Sequence, residues 1–139
     1  MKSAAELLAS QATPLCTVAP DATVFDALHL LARHQVGALA VIDPQGKLMG
    51  IVSERDYTRK VALEGKNSRD ATVDEIMTRE VLVVNPKTRA RECMTLMSSH
   101  KIRHLPVVDG ETLLGVLSIR DLLDAIIADQ TNTIQQLES

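Results

Sequence analysis

A short polar motif occurs twice in this chain, and it carries side chains that could bind a phosphorylated ligand. Each copy has the pattern Gly-x-x-Ser-x-Arg-Asp, and the polar members are Ser53, Arg55, Asp56, Ser118, Arg120 and Asp121. Both copies lie where an apolar segment ends and a helical pattern begins. Free backbone N–H groups and the helix dipole favour an anion at such a place. The position therefore predicts a candidate phosphate site in each copy.

The same spacing has a second interpretation that needs no ligand. Ser-x-x-Asp is also the spacing of a capping box, in which the hydroxyl and the carboxylate accept hydrogen bonds from backbone amides at the start of a helix. Arg55 and Arg120 favour the ligand, because a cation in the first helical turn costs roughly some tenths of a kcal/mol unless an anion binds there. Glu54 could offset the charge of Arg55, but Ile119 cannot offset that of Arg120.

The two motifs belong to a longer internal repeat. Residues 18–43 match residues 84–109 at a constant offset of 66, and the offset becomes 65 after a turn that is one residue shorter in the second copy. The residues that lead into each copy match as well. A repeat of this kind indicates two similar supersecondary units, which we assign to residues 1–66 and 67–139.

Each copy reads as an extended segment, a helix, a two-stranded hairpin and a second helix. In the first copy we expect a helix capped by Thr23 and ending near Gln35, strands at 38–42 and 48–52, and a helix from Ser53 to about Leu63. In the second copy we expect an extended segment at 81–84, a helix at 88–99, strands at 105–108 and 113–117, and a last helix from near Ile119.

The last helix continues beyond what one half needs. Its apolar positions follow alternating spacings of four and three, a heptad-like pattern made by Leu123, Ile127, Gln130, Ile134 and Leu137, which we call the C-terminal seam. Two heptads are too few to decide between a monomer and a dimer, so both stay open on the pattern alone.

Composition excludes several classes of function. A net charge of −3 without a basic cluster argues against nucleic acid as the partner. There is no apolar run of membrane-spanning length and no signal peptide, so we expect no membrane association and a cytoplasmic protein. No activated nucleophile and no paired general acid and base are evident, so we expect no enzyme and no catalytic cofactor.

Cysteine and histidine give no metal site either. Cys16 and Cys93 lie far apart and form no Cys-x-x-Cys pair. His100 and His104 have the spacing of helical metal ligands, but they straddle the end of a helix and the start of a strand, and no carboxylate accompanies them. We therefore predict no bound metal.

The duplicated order of elements, with the Gly-x-x-Ser-x-x-Asp motif at the same place in each copy, resembles a pair of CBS domains. This family is named after cystathionine β-synthase, and the pair is often called a Bateman module. The resemblance covers the chain from about Ala5 to about Ile127. It implies a mixed α/β (α+β) fold of two tandem β-α-β-β-α motifs, packed sheet to sheet with pseudo-two-fold symmetry around two nucleotide clefts.

The resemblance also assigns roles to residues. It implies that Asp56 and Asp121 hold ribose hydroxyls and that Ser53 and Ser118 reach phosphate, as a carboxylate acceptor and a hydroxyl donor can. Further cleft residues come from the segment before the first helix and from the start of the hairpin. These are Thr17, Val18, Val36, Gly37 and Ala38 in the first copy and Val83, Val84, Ile102, Arg103, His104 and Pro106 in the second, with Thr78 and Arg79 from the linker.

The two implied sites differ in charge. Arg103 and His104 stand where the first copy has Gly37 and Ala38, so the second site gains a cation and a titratable ring. We therefore expect the site that contains Asp121 to prefer a charged nucleotide.

The resemblance implies a regulatory sensor of adenosine nucleotides. AMP is the first candidate, NAD(H) and ATP are others, and S-adenosylmethionine is a weaker one. It further implies a homodimer, with signalling through dimer geometry or a protein partner. The alternative is a structural or interaction module without a nucleotide, in which both Ser-x-x-Asp motifs are helix caps only.

Overall fold

A computed structural model describes the protein over residues 1–11 and 15–138. Its helices are α1 (Ala4–Ala9), α2 (Val24–His34), α3 (Glu54–Tyr57), α4 (Val73–Ile76), α5 (Ala90–His100) and α6 (Ile119–Glu138). Its strands are β1 (Thr17–Val18), β2 (Ala38–Ile42), β3 (Leu48–Ser53), β4 (His104–Asp109) and β5 (Thr112–Ser118). The mixed α/β class predicted from the sequence is confirmed.

The chain forms two compact units that exchange their lead-in helices. The first unit contains residues 15–81 and 110–113, and the second contains residues 1–11, 82–109 and 114–138. Helix α1 therefore packs with the second repeat, and α4 packs with the first. The boundary between residues 66 and 67 describes the sequence repeat and stays a prediction.

The first unit is built on a three-stranded sheet. Strand β1 pairs with β2 in parallel, and β2 pairs with β3 in antiparallel register, which opposes Ala38 to Ser53. Helix α2 covers this sheet with the spacing that the sequence predicted, since Val24, Ala27 and Leu31 are its buried residues. The Thr23 side chain caps the helix by accepting a hydrogen bond from the Asp26 backbone amide.

The helix after β3 differs from the prediction. Four α-helical residues are followed by a π-helix over Thr58–Ala62, so the helical segment predicted to run regularly to Leu63 changes its hydrogen-bond pattern after Tyr57. Val61 of the π-helix is buried in the first core. Short π-helical segments are often found near functional sites.

The second unit repeats the arrangement with small differences. Strands β4 and β5 form a two-stranded sheet, and the core is aliphatic apart from Cys93 and Met97. Helix α5 begins at Ala90, two residues after the predicted Thr88. The Ala90 amide donates to the carbonyl of Lys2, and no side chain caps the helix. Within residues 1–11 and 15–138, no helix is long and apolar enough to cross a membrane.

Candidate functional site

The motif of the first unit forms a complete capping box at the junction of β3 and α3. Ser53 Oγ accepts a hydrogen bond of 3.2 Å from the Asp56 amide. Asp56 Oδ2 accepts hydrogen bonds from the Ser53 amide at 2.9 Å and from Ser53 Oγ at 3.0 Å. Asp56 is only 9% exposed, so one of its two oxygens is fully engaged inside the protein.

The motif of the second unit has the same geometry at the junction of β5 and α6. The Ser118 amide donates to Asp121 Oδ2 at 2.8 Å, Ser118 Oγ donates to the same oxygen at 3.1 Å, and the Asp121 amide donates back to Ser118 Oγ at 3.2 Å. Both copies of the motif are therefore helix caps, as the ligand-free interpretation requires.

The second oxygen of each carboxylate distinguishes the two copies. Asp56 Oδ1 forms an ion pair of 3.1 Å with Lys60 Nζ, which also donates to the carbonyl of Ile76 at 2.8 Å. Among the described residues, Asp121 Oδ1 has no hydrogen-bond or ion-pair partner. One oxygen of the second carboxylate is therefore without a partner in this part of the chain, whereas both oxygens of the first carboxylate have partners.

Gln11, which follows α1, reaches the second motif. Its Nε2 donates to Asp121 Oδ2 and to the carbonyl of Val116, both at 2.9 Å. Gln11 was not among the predicted site residues, since nothing local in the sequence connects positions 110 residues apart. Lys60 was also missed, although its spacing of four from Asp56 is the spacing of helical ion pairs.

A matching backbone hydrogen bond brings the start of each hairpin to its motif. The Glu54 amide donates to the carbonyl of Gly37 at 3.1 Å, and the Ile119 amide donates to the carbonyl of Arg103 at 2.9 Å. The positions that differ most in charge between the copies, Gly37 and Arg103, therefore both lie beside the first turn of the following helix.

The other candidate residues of the first unit lie in the sheet, against the core, in the linker or on the surface. Thr17, Val18 and Ala38 lie in the sheet, and Val36 packs against the core. Thr78 pairs through its backbone with Ile51, while the Arg79 guanidinium donates to the carbonyl of Asp74. Arg55 is exposed.

The remaining candidates of the second unit are arranged in a similar way. Val84 pairs in parallel with Val107, and its amide donates to the carbonyl of Pro106, which is fully buried. Ile102 packs against the core, whereas Val83 is 43% exposed. Arg103 and Arg120 are exposed, and within the described part of the chain neither forms an ion pair.

His104 couples the hairpin to the motif electrostatically. Burial lowers the pKa of His104, the charge of Asp121 acts in the opposite direction, and the charge of Arg103 lowers the pKa further. The first effect dominates, because desolvation disfavours the charged ring. Arg103 and Asp121 are thus close enough to His104 in this unit to influence its pKa.

The glycine of each motif makes room for the lead-in segment of the other repeat. A Cβ at Gly50 would lie 2.5 Å from the backbone oxygen of Thr78, and a Cβ at Gly115 would lie 2.6 Å from Leu8 Cδ2. Neither glycine has a positive φ, so close packing rather than backbone conformation explains both.

No arrangement of ligands for a metal ion is found in residues 1–11 and 15–138, where no three His, Cys, Asp or Glu side chains cluster suitably. Burial raises the pKa of both thiols, Cys16 and Cys93, which makes them poor nucleophiles.

Comparison with known proteins agrees with this duplicated arrangement. The model of the CBS domain matches twice, over residues 6–63 and 73–128. The chain belongs to the CBS domain family. Its CBS pair is a regulatory module of the kind found in signal-transduction proteins, and stand-alone CBS-domain proteins are regulatory rather than catalytic.

Similar proteins include both stand-alone and longer chains. A structure of a CBS-domain protein from Burkholderia ambifaria MC40-6, proposed to act in signal transduction, is 43% identical with a TM-score of 0.87, and the match covers 93% of this chain and 96% of that one. The mitochondrial CBS domain-containing protein CBSX3 of Arabidopsis thaliana is 38% identical over 89% of this chain. This chain spans 61% of the length of CBSX3.

A third similar protein is an assembly. The hexameric CBS-CP12 protein from bloom-forming cyanobacteria is 34% identical with a TM-score of 0.78, and the match covers 88% of this chain and 70% of that one. Oligomerisation is thus found among the structural neighbours.

Proposed function

We propose that this CBS pair is a regulatory module that binds an adenosine nucleotide at the motif of the second unit. AMP is the first candidate, and ATP and NAD(H) carry the same ribose and phosphate groups. The observation that carries the proposal is the open carboxylate oxygen of Asp121, next to a cap that is already complete. The cap leaves Oδ1 available without disturbing the helix start.

Ribose recognition is the first part of the proposal. Asp121 Oδ2 is occupied by Ser118 and Gln11, which fixes the orientation of the carboxylate. The other oxygen can then accept hydrogen bonds from the 2′ and 3′ hydroxyls of a ribose. Hydrogen bonds to a charged group typically contribute about 1.5–3 kcal/mol each, enough to matter for a small ligand.

Phosphate recognition is the second part. The guanidinium groups of Arg103 and Arg120 are exposed and have no ion pair among the described residues, and Arg103 is held beside the start of α6 by the bond from the Ile119 amide. Arg side chains suit phosphate oxygens because their N–H donors can bind two oxygens together. The first unit has Gly37 at the corresponding place and lacks this cation.

A second candidate function is an interaction module without a nucleotide. Its support is that both capping boxes are complete with no ligand, so the motifs have a structural role in any case. The two candidates differ in what a motif carboxylate contributes: stability alone, or stability and binding.

Calorimetric titration of AMP, ATP, NAD, NADH and S-adenosylmethionine into nucleotide-free protein tests the proposal. We expect at least one adenosine nucleotide to bind. Asp121→Ala should lower the affinity for that nucleotide about 10- to 100-fold, which corresponds to the loss of one hydrogen bond to a charged group. The 2′-deoxy analogue should bind more weakly than the parent nucleotide, because it removes one hydroxyl donor.

Asp56→Ala is the matched control. It removes the equivalent cap from the first unit at a stability cost of about 1 kcal/mol, but it should leave the affinity of the nucleotide unchanged. Equal loss of affinity in Asp56→Ala and Asp121→Ala would show that Asp121 affects binding through the stability of the fold and not through a contact with the nucleotide. If none of the nucleotides binds, the interaction module is supported instead.

Regulation requires that the ligand bind one arrangement of the protein better than another. We propose that the nucleotide changes the geometry of a homodimer, or its contact with a protein partner. Hydrogen exchange with and without saturating AMP would identify the segments whose protection changes.

A further inference from the structure

Lys60 binds the oxygen of Asp56 that corresponds to the open oxygen of Asp121. It lies in the π-helix of the first unit, and its ammonium bridges Asp56 Oδ1 and the carbonyl of Ile76. The other carboxylate oxygen accepts from Ser53. Both oxygens of Asp56 therefore have partners within the protein, and a ribose would have to compete with the Lys60 ammonium for Oδ1.

The second unit lacks this arrangement at the corresponding position. The offset of 65 that relates the motifs places Ala125 opposite Lys60. Ala125 follows Asp121 by four residues within the regular helix α6. Gln11, the additional partner of Asp121, binds the oxygen that already serves the cap and leaves Oδ1 open.

We infer that Lys60 is a specificity-determining residue that closes the motif of the first unit, so that the CBS pair takes one adenosine nucleotide per chain, at Asp121. This inference rests on the proposed function. A ribose at Asp56 would have to compete with the Lys60 ammonium for Oδ1 of a residue that is only 9% exposed, and Lys60 is held there by its second bond, to the carbonyl of Ile76. The Lys60 side chain is 43% exposed, so the cost comes from the mostly buried carboxylate, which would exchange a charged partner for neutral hydroxyls that stabilise it less.

Reciprocal exchange of the two residues tests the inference. Calorimetric titration with AMP, or with whichever of ATP and NAD(H) the wild type binds, should give one site per chain in the wild type. Lys60→Ala introduces the residue of the second copy and should give a second site. Ala125→Lys introduces the ion pair beside Asp121 and should weaken wild-type binding at least 10-fold.

Two further variants separate charge from folding. Lys66→Ala removes another lysine whose ion pair, with Glu64, is exposed on the surface, and it should keep one site. Lys60→Met keeps most of the aliphatic stem and should open the second site as Lys60→Ala does. Thermal unfolding confirms that each variant is folded, and Ala125→Lys tests the inference in a separate unit if the Lys60 variants are unstable.

The outcomes distinguish this inference from the proposed function. Two sites in the wild type, or one site in both folded Lys60 variants, would overturn the role of Lys60 while nucleotide binding stood. Unchanged affinity in folded Ala125→Lys would do the same. Failure of the wild type to bind any of these nucleotides would overturn the proposed function, and the inference with it.

Discussion

Gln11 Nε2 donates a hydrogen bond of 2.9 Å to Asp121 Oδ2 and so joins the lead-in segment of one repeat to the motif of the other. We expect Gln11→Ala to lower the free energy of unfolding by about 1 kcal/mol, the usual contribution of one such bond. Gln11→Glu should cost more at pH 7, because it places a second carboxylate against Asp121. Urea unfolding of the three proteins measures both effects.

The pH dependence of Gln11→Glu provides the control. Repulsion from Asp121 would raise the pKa of the new carboxyl above about 4.3, so the penalty is present at neutral pH and is relieved as pH falls through that raised pKa. The difference between Gln11→Glu and Gln11→Ala should therefore shrink towards pH 4. A difference that does not depend on pH would contradict the contact.

The buried ring of His104 should make the free energy of unfolding of the wild type depend on pH in the opposite direction. Its pKa is lowered by burial, so between about 6.5 and the folded pKa the unfolded chain binds a proton that the folded chain does not. The free energy of unfolding should then decrease as pH falls below about 6.5, and His104→Asn should show a shallower decrease. Thermal unfolding between pH 5 and 8 measures the slopes.

His100→Asn is the matched control for that experiment, because His100 is exposed at the end of α5. It should retain the wild-type slope. Equal slopes for wild type and His104→Asn would show that the proton uptake occurs elsewhere.

Much of the fold could be predicted because the relevant signals are local. The Thr23 cap and the spacing of Val24, Ala27 and Leu31 define α2 within a few residues. The π-helix after Tyr57 could not be predicted in this way, since its composition is compatible with a regular helix and the change of hydrogen-bond pattern has no sequence signature.

For the candidate site, the sequence located the two carboxylates but not the partners that distinguish them. The repeat located both carboxylates, and their capping geometry follows from the Ser-x-x-Asp spacing. What distinguishes the two carboxylates comes from Lys60, at a familiar ion-pair spacing, and from Gln11, whose contact depends on the exchange of lead-in helices. Long-range contacts of that kind cannot be inferred from local pattern.

The C-terminal seam predicts a homodimer. Leu123, Ile127, Ile134 and Leu137 are 46%, 59%, 55% and 82% exposed on α6, a row that a second copy could cover. We expect a dimeric mass by light scattering at micromolar protein, and a monomeric mass for Ile127→Asp with Ile134→Asp. Gln135→Asp, an exposed change beside the row, should remain dimeric. A monomeric wild type would contradict the prediction.

The two motif glycines should differ in their tolerance of a methyl group. At Gly50 a Cβ would meet the backbone oxygen of Thr78 at 2.5 Å, and that oxygen accepts from the Ile51 amide, so it cannot move without breaking a backbone pair. At Gly115 the nearest atom is the end of the flexible Leu8 side chain, at 2.6 Å. Gly50→Ala should therefore lower the free energy of unfolding by about 1–3 kcal/mol, and Gly115→Ala by less.

A double-mutant comparison identifies the atoms responsible for the difference. Leu8→Ala removes the atoms that a Cβ at Gly115 would meet, so Gly115→Ala should cost almost nothing in that background. Met77→Ala removes the side chain beside Gly50 but leaves the Thr78 carbonyl in place, so the penalty of Gly50→Ala should persist. Urea unfolding of the single and double variants gives the coupling energies. Rescue of Gly50→Ala by Met77→Ala would show that side-chain crowding, rather than the backbone contact, requires the glycine.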